Sequence, residues 1–311
     1  MNKHSHRLMD TTTASRTNIS VSPISRFKIA LCQLRVTNDK ANNLNRARNM
    51  LEEAANKGAK LVVLPEMWLC PYSHEYFEKC GEELNTEESS ATYHMLSEIS
   101  SIHQITIVGG SIPERRNGQM YNTCCVFGPD GKLKAKHSKL HLFDYYEASG
   151  DVSFRESDSF TAGDTPTIVH TDVGCIGIGI CHDIRFPELG MLYRAKGADL
   201  IIYPAAFNMS TGMALWELET KARAIDNQMF VAVCSPSRDS AGSYTIWGHS
   251  MLVGPSGEVK AKAEHGEEIV FAEINYAENQ LQRELFPLRR QRKEGIYKFL
   301  DTEQSKANFS P

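Results

Sequence analysis

No stretch of this sequence approaches the ~18–20 consecutive apolar residues that a membrane-crossing helix requires. Residues 1–26 also lack the continuous apolar segment of a secretory signal. Charge of one sign is scarce, because 34 Lys and Arg against 38 Asp and Glu leave a formal net charge of −4. A chain so balanced carries no electrostatic footprint for nucleic acid. Basic clusters such as Arg289, Arg290, Arg292 and Lys293 are short and read as a solvated face or a subunit contact. The eight cysteines contain no Cys-x-x-Cys pair, and several lie inside apolar runs such as 29-IALCQL-34. Buried free thiols in a reducing compartment, the cytosol, explain them better than disulfides or zinc. No Pro-, Gly- or Ser-rich linker divides the chain, so residues 27–300 are expected to form one domain.

The ends differ from the rest. Residues 1–26 carry Lys3, Arg7, Arg16 and Arg26 against a single acid, Asp10, with nine Ser or Thr. That composition fits a disordered tail and also an organelle transit peptide; the tail is our expectation. Residues 301–311 are polar and are expected to fray.

What is present begins at 27-FKIALCQL-34, an apolar run of strand length. A segment with helical spacing follows (Leu44, Ala47, Met50, Leu51, Ala54), closed by Gly58. Then comes 60-KLVVLP-65, whose unbroken apolar character predicts a strand buried on both faces. Strand, helix, strand is the parallel βαβ signature. The chain also repeats itself: 57-KGAKLVVLPE-66 recurs as 196-KGADLIIYPA-205, and 128-GPDGKLKAK-136 recurs as 254-GPSGEVKAK-262. Two ordered matches predict two similar halves, each a layer of strands with helices outside. Packed face to face, the halves give an α/β fold, a four-layer αββα sandwich.

Where the halves differ, the scaffold does not dictate the residue. Pro65 matches Pro204, but Glu66 matches Ala205. A carboxylate at the end of a buried parallel strand lies in the usual ligand crevice of an α/β sheet, and desolvation raises its pKa towards that of a useful base. Lys139 follows the first repeated hairpin and has no counterpart after the second; a lysine suits a developing oxyanion. Cys181 ends the run 173-VGCIGIGI-180, and a helix is predicted from Pro187 to a close at Gly197. A thiol at such a strand-to-helix turn is placed as nucleophiles are in many hydrolases. Consecutive Cys181, His182 and Asp183 point apart, which excludes both a relay and a metal site built from those three. The glycines of 173–180 lack the following helix and acid of a dinucleotide site.

The blocks 65-PEMW-68, 139-KLHLF-143 and 180-ICHDIRFPE-188 resemble the Glu, Lys and Cys motifs of the nitrilase superfamily, the carbon–nitrogen hydrolases, over residues 27–300. The resemblance implies the same sandwich, a homodimer or larger assembly, and chemistry without metal or organic cofactor. Within the superfamily the chain is most similar to the omega-amidase branch, through 107-IVGGSIPE-114, 121-YNTC-124, 204-PAAFNMSTG-212, 222-ARAIDNQ-228, 234-CSPSRD-239 and 247-WGHS-250. That branch hydrolyses the terminal amide of 2-oxoglutaramate or 2-oxosuccinamate to 2-oxoglutarate or oxaloacetate and ammonia. Glu156, in 154-FRES-157, resembles the second carboxylate that positions the lysine. One departure stands out: Leu215 precedes Trp216 where the branch is expected to carry histidine.

The expected mechanism follows. Glu66 takes the proton of Cys181, the thiolate attacks the amide, and Lys139 with the N–H of His182 holds the oxyanion. Arg185 either grips a substrate carboxylate or makes a structural salt bridge. Tyr121, Phe207 and Trp216 are read either as pocket walls or as core packing. A sister amidase acting on deaminated glutathione or N-carbamoylputrescine, and a non-catalytic metabolite-binding protein, remain the competing expectations.

Overall fold

The computed structural model describes residues 24–85, 89–146, 152–293 and 295–296. The expectations for residues 1–23 and 301–311 lie outside these. The apolar run at the start forms β1 (Arg26–Gln33), and β2 (Leu61–Val63) pairs with it in parallel, Ile29 opposite Leu61. Between them runs α1 (Lys40–Asn56), which starts where the Asp39 carboxylate accepts from the N–H groups of Ala41 and Asn42. It ends at Gly58, whose φ of 84° only glycine adopts freely.

Helices α2 (His74–Cys80) and α3 (Ala91–His103) lead into β3 (Thr106–Arg116), β4 (Gln119–Phe127) and β5 (Leu133–Ser138). A small antiparallel pair, β6 (Asp144–Tyr146) and β7 (Val152–Arg155), precedes a 3-10 turn over Glu156–Asp158. The second half then runs β8 (Thr167–Thr171), β9 (Gly174–Ile178), a 3-10 turn over Cys181–Arg185, α4 (Pro187–Ala195), β10 (Leu200–Pro204), α5 (Met209–Asn227), β11 (Phe230–Cys234), β12 (Met251–Val253) and β13 (Val259–Lys262). β14 (Glu268–Asn275), α6 (Ala277–Leu285) and α7 (Leu288–Gln291) follow.

Each half makes a six-stranded mixed sheet, in the orders β14-β1-β2-β3-β4-β5 and β13-β12-β11-β10-β9-β8. The internal repeat is visible in them. β10 stands between β9 and β11 as β2 stands between β1 and β3, every pair parallel. In both repeated hairpins a bulge falls at the same place, Val126/Phe127 and Leu252/Val253. The symmetry has one exchange: at the edge beside β1 the first sheet borrows β14 from the far end of the chain, where the second uses its own β8.

Alternation along β1 shows how the layers stack. Ile29 and Leu31 face the other sheet, in one core with Ile176, Leu200 and Ile202. Ala30 and Cys32 face outwards onto Leu51 and Ala54 of α1 and Met95 and Leu96 of α3. Helices α4 and α5 cover the second sheet, with Tyr193 and Ala224 in its core. This is the expected αββα order. Between the sheets the Cys234 thiol reaches the carbonyls of Cys32 and Val63. All eight cysteines are free and buried, and Cys124 and Cys125 face opposite cores. Among the described residues no helix is long and apolar enough to cross a membrane.

Candidate active site

The site collects at strand ends, and backbone strain places two of its side chains. Glu66 lies just past β2. There the chain is clipped to β3: Ser111 N–H donates to the Pro65 carbonyl, Trp68 Nε1 to the Gly109 carbonyl, and Met67 N–H to Ser111 Oγ. The register of β3 against β4 shifts between Val108 and Ser111, so Gly109 and Gly110 form a bulge that bends towards Glu66. Met67 then takes a left-handed φ of 50°, uncommon for a residue with a side chain. Cys181 is also left-handed, with φ of 46°. The second-half strand ends at Ile178, earlier than the apolar run suggested, and Cys181 opens a 3-10 turn before Pro187 starts α4. Such non-glycine outliers cluster where surrounding contacts enforce them.

The enforcing contact at the thiol turn is Asp183. Its buried carboxylate accepts from Ile180 N–H (2.9 Å), His141 N–H (3.0 Å), His141 Nδ1 (2.7 Å) and His137 Nε2 (3.1 Å). Burial opposes its charge, yet the hydrogen bonds of His137 and His141 hold it far below the usual carboxylate range. The third consecutive residue of the Cys-His-Asp run therefore anchors the turn.

Lys139 follows β5, tied by its N–H to the Asn122 carbonyl. Its Nζ lies 2.9 Å from Glu66 Oε1 and 2.7 Å from Glu156 Oε2. Glu156 also accepts from Phe143 N–H at 2.7 Å. Asn122, on β4, donates from one amide nitrogen to Glu66 Oε1 (2.8 Å) and Glu156 Oε1 (3.0 Å). Glu66, Asn122, Lys139 and Glu156 are all 0% exposed. Two carboxylates thus share one ammonium in a dry interior, where unpaired charge is strongly unfavourable.

Electrostatics follow from that count. Burial raises the Glu66 pKa; Lys139 opposes the rise and Glu156 adds to it. Burial works against charge on Lys139, but Glu156, Glu66 and Cys181 outweigh it and keep the ammonium protonated. The Cys181 thiol stands beside Glu66 and the Ala206 N–H. Burial, then the Glu66 charge, push its pKa well above the usual thiol range, so the resting sulfur keeps its proton. His182 is held neutral, its pKa lowered to about 4 by burial and then by Lys139 and Arg185.

A cavity of about 20 Å³ opens onto the thiol, lined by Phe143, Cys181, His182, Arg185, Phe207, Thr211 and Tyr244. That is room for about one water-sized group. A larger surface cleft, about 740 Å³ around His74 and Arg115–Met120, contains none of the buried cluster. Arg185 lines the thiol cavity and also pairs with Glu219, Nε to Oε1 at 2.8 Å. Phe207 lines it; Trp216 stands behind, edge-on to Phe207 at 5.2 Å, with its Nε1 donating to the His249 carbonyl. Leu215 packs against the core and is absent from the lining. Tyr121 sits apart, its ring under the Arg116 guanidinium at 3.9 Å and its hydroxyl on Gln119. Among the described residues no group of three or more His, Cys, Asp or Glu is placed to hold a metal ion.

Sequence reasoning passed over Asn122, Phe143, Thr211 and Tyr244. Asn122 is adjacent to Tyr121 on a strand, so the two point to opposite faces. Tyr244 comes from a loop between β11 and β12 and stacks on Tyr72 at 4.8 Å. No spacing along the chain signals either.

The carbon–nitrogen hydrolase profile matches residues 28–284. The chain is 56% identical to "Omega-amidase, chloroplastic" of Arabidopsis thaliana over 91% of this chain and 76% of that protein. It is 43% identical to "Omega-amidase NIT2" of Homo sapiens, over 88% of this chain and 98% of that protein. Among solved structures, Saccharomyces cerevisiae Nit3, described as a member of branch 10 of the nitrilase superfamily, superposes with a TM-score of 0.77 at 40% identity. That superposition covers 85% of this chain and 95% of Nit3. The Caenorhabditis elegans NitFhit protein gives a TM-score of 0.82 at 32% identity, over 89% of this chain and 67% of that one. With this fold, this cluster and these relatives, the chain belongs to the carbon–nitrogen hydrolase family, in the omega-amidase branch of the nitrilase superfamily.

Proposed function

We propose that the protein is an omega-amidase that hydrolyses the terminal amide of 2-oxoglutaramate or 2-oxosuccinamate, through the unit spanning residues 27–300. The observation that carries this reading is the buried Glu66–Lys139–Glu156 cluster beside a protonated thiol at a cavity. Membership of a family whose similar members are named omega-amidases supports the choice of amide.

In the proposed cycle Glu66 accepts the thiol proton as Cys181 attacks the amide carbon. Proton transfer and attack occur together, because an isolated thiolate is disfavoured in this dry setting. The carbonyl oxygen becomes an oxyanion facing Lys139 and the His182 N–H; each such donor is worth about 3–4 kcal/mol in comparable sites. The protonated Glu66 gives its proton to the departing nitrogen, which leaves as ammonia, and the acyl group remains as a Cys181 thioester. Water loses a proton to Glu66 and attacks the thioester; the carboxylic acid leaves and the proton returns to sulfur. Glu156 holds Lys139 in place throughout. Arg185 and the neutral His182 meet the substrate's 2-oxo acid end, with Phe207 as a wall and Trp216 backing it.

Measuring ammonia release from 2-oxoglutaramate by wild type and Cys181→Ala tests the reading. Turnover by the wild type and at least a ~10³-fold loss in the variant is the expected result. Undiminished turnover by Cys181→Ala would sink the thiol mechanism. Turnover of deaminated glutathione or N-carbamoylputrescine with none of 2-oxoglutaramate would move the protein to a sister branch.

We further infer a homodimer or larger homo-oligomer, supported by an outward apolar stripe on α5. For location, eight free buried thiols support a reducing compartment, the cytosol. The word "chloroplastic" in the Arabidopsis relative's name supports organelle delivery by residues 1–26 instead. Imaging a carboxyl-terminal fluorescent fusion with and without residues 1–26 decides between them.

A further inference from the structure

We propose that Asn122 is a positioning residue that fixes which oxygen of Glu66 receives the thiol proton and keeps that carboxylate ionised; the proposal rests on the thiol mechanism above.

The argument starts from donors and acceptors. Lys139 Nζ and Asn122 Nδ2 both approach the same oxygen, Glu66 Oε1, at 2.9 and 2.8 Å. Glu66 Oε2 is buried and receives no nitrogen or oxygen donor. A carboxylate with one oxygen doubly held and the other bare cannot rotate without breaking two charge-assisted bonds. The bare oxygen is the one left for the Cys181 thiol, and later for the amide nitrogen and the attacking water.

The orientation of the Asn122 amide is forced by its neighbours. Its nitrogen carries two hydrogens and touches two carboxylates, Glu66 Oε1 and Glu156 Oε1. The flipped amide would set an acceptor oxygen against two acceptor oxygens. The carbonyl oxygen of Asn122 is accordingly left buried with no partner, which the two charged bonds outweigh. Glu66, Lys139, Glu156 and Asn122 form a closed ring in which each carboxylate receives one hydrogen from the lysine and one from the amide. One ammonium cannot neutralise two carboxylates. Asn122 supplies the rest of the stabilisation without adding charge, and it holds the ring together from β4 while the other members come from three different loops.

The charged and titratable groups facing Glu66 are Lys139, Glu156, Cys181, Tyr72 and Tyr244. Only Lys139 among them favours the ionised carboxylate by charge. Removing the amide donors therefore shifts Glu66 towards its protonated form, in which it cannot accept the thiol proton. Asn122 lines no part of the thiol cavity, so substrate binding is left intact.

Steady-state kinetics over pH for wild type, Asn122→Ala, Asn122→Ser and Asn122→Asp test this. We expect kcat of Asn122→Ala to fall ~10²-fold, the scale for loss of a pre-organised donor, with KM within about twofold. The acid limb of kcat/KM should move to higher pH. Asn122→Ser, which keeps one donor, should recover part of the rate and part of the limb position. Asn122→Asp, which puts a third carboxylate beside one lysine, should be the least active and the most displaced. A rate loss with an unmoved acid limb would assign Asn122 a purely structural part and overturn the proposal, as would unchanged kinetics. Should Asn122→Ala fail to fold, Asn122→Ser carries the same readout. The pH dependence of Cys181 alkylation by iodoacetamide reads the same limb without any amide substrate. Failure of the omega-amidase reading then shows as absent turnover in wild type, while failure of this one shows as an unmoved alkylation limb.

Discussion

At the scale of single residues, the site is a set of groups held where they are uncomfortable. Glu66 is the clearest case, because burial raises its pKa while its work requires the ionised form. A carboxyl whose folded pKa exceeds its unfolded value contributes stability below the unfolded pKa, about 4.3, and that contribution is lost as pH rises through the folded value. At neutral pH the wild-type fold therefore bears the loss. Glu66→Gln removes it and leaves Lys139 paired one-to-one with Glu156. The variant should be at least as stable as wild type in urea at pH 7, with the difference shrinking near pH 4.5, and its amidase activity should fall at least ~10²-fold. A Gln variant clearly less stable at pH 7 would show that the Glu66–Lys139 attraction outweighs the burial penalty. The acid limb of activity belongs to Glu66 on this account, since His182 with a pKa of about 4 stays neutral across the working range.

At the scale of elements, what aims these residues is backbone geometry at strand ends. The bulge at Gly109–Gly110 in β3 brings a strand against the Pro65–Glu66 segment so tightly that a Cβ on Gly110 would lie 2.2 Å from the Pro65 carbonyl oxygen. Gly110 also has φ of 63°, where a side chain alone costs about 1–2 kcal/mol. Gly110→Ala should lower stability by more than ~3 kcal/mol and reduce activity in the fraction that folds, because Pro65 and Glu66 must shift together. Gly118 is the control: its φ is 77° but nothing lies within 4 Å of an added Cβ, so Gly118→Ala should cost about 1 kcal/mol and leave activity alone. Equal losses in the two variants would remove the close approach as the cause. These elements were partly legible in the sequence. Strand β2, α1 and the Gly58 cap follow from apolar spacing, and the mismatch of Glu66 with Ala205 singled out a carboxylate the scaffold does not need. Asn122 was illegible, since a lone amide in a strand carries no periodic signal and acquires meaning only when loops after β2, β5 and β7 converge on it. The residue after Ala205 has a use that no alignment of the halves suggests, for Ala206 presents its N–H to Cys181.

At the scale of the whole molecule, the internal repeat predicted two packed sheets but not their exchange of an edge. β14 comes from the chain's last third to close the sheet beside β1, a non-local pairing that leaves no local mark in composition. The outer helix layer carries a second feature of this scale. Residues Ala214, Leu218, Ala222 and Ile225 recur at helical spacing on the side of α5 turned away from the sheet. Leu218 is 64% and Ile225 47% exposed. The stripe ends near α6, which is tied to the end of α5 by Gln228 Nε2 donating to the carbonyls of Gln282 and Phe286, and there Leu285 and Phe286 are exposed as well. The face of α5 turned to β11, β12 and α4 is covered within the chain, and an exposed apolar stripe beyond it is the mark of an interaction surface. A second copy placed stripe to stripe about a twofold axis would bury the same residues on both sides, as isologous interfaces do. Specific, stable interfaces bury about 1,600 Å² in total. Light scattering behind size exclusion should then give wild type twice the 34.8 kDa chain mass or a higher multiple. Leu218→Asp with Ile225→Asp should give the single-chain mass, each charge opposing burial against its own copy, while the distant Cys181 site keeps its thiol reactivity towards iodoacetamide. A wild type that runs as one chain, or a doubly substituted protein that still associates, would leave the α5 stripe without the partner assigned to it.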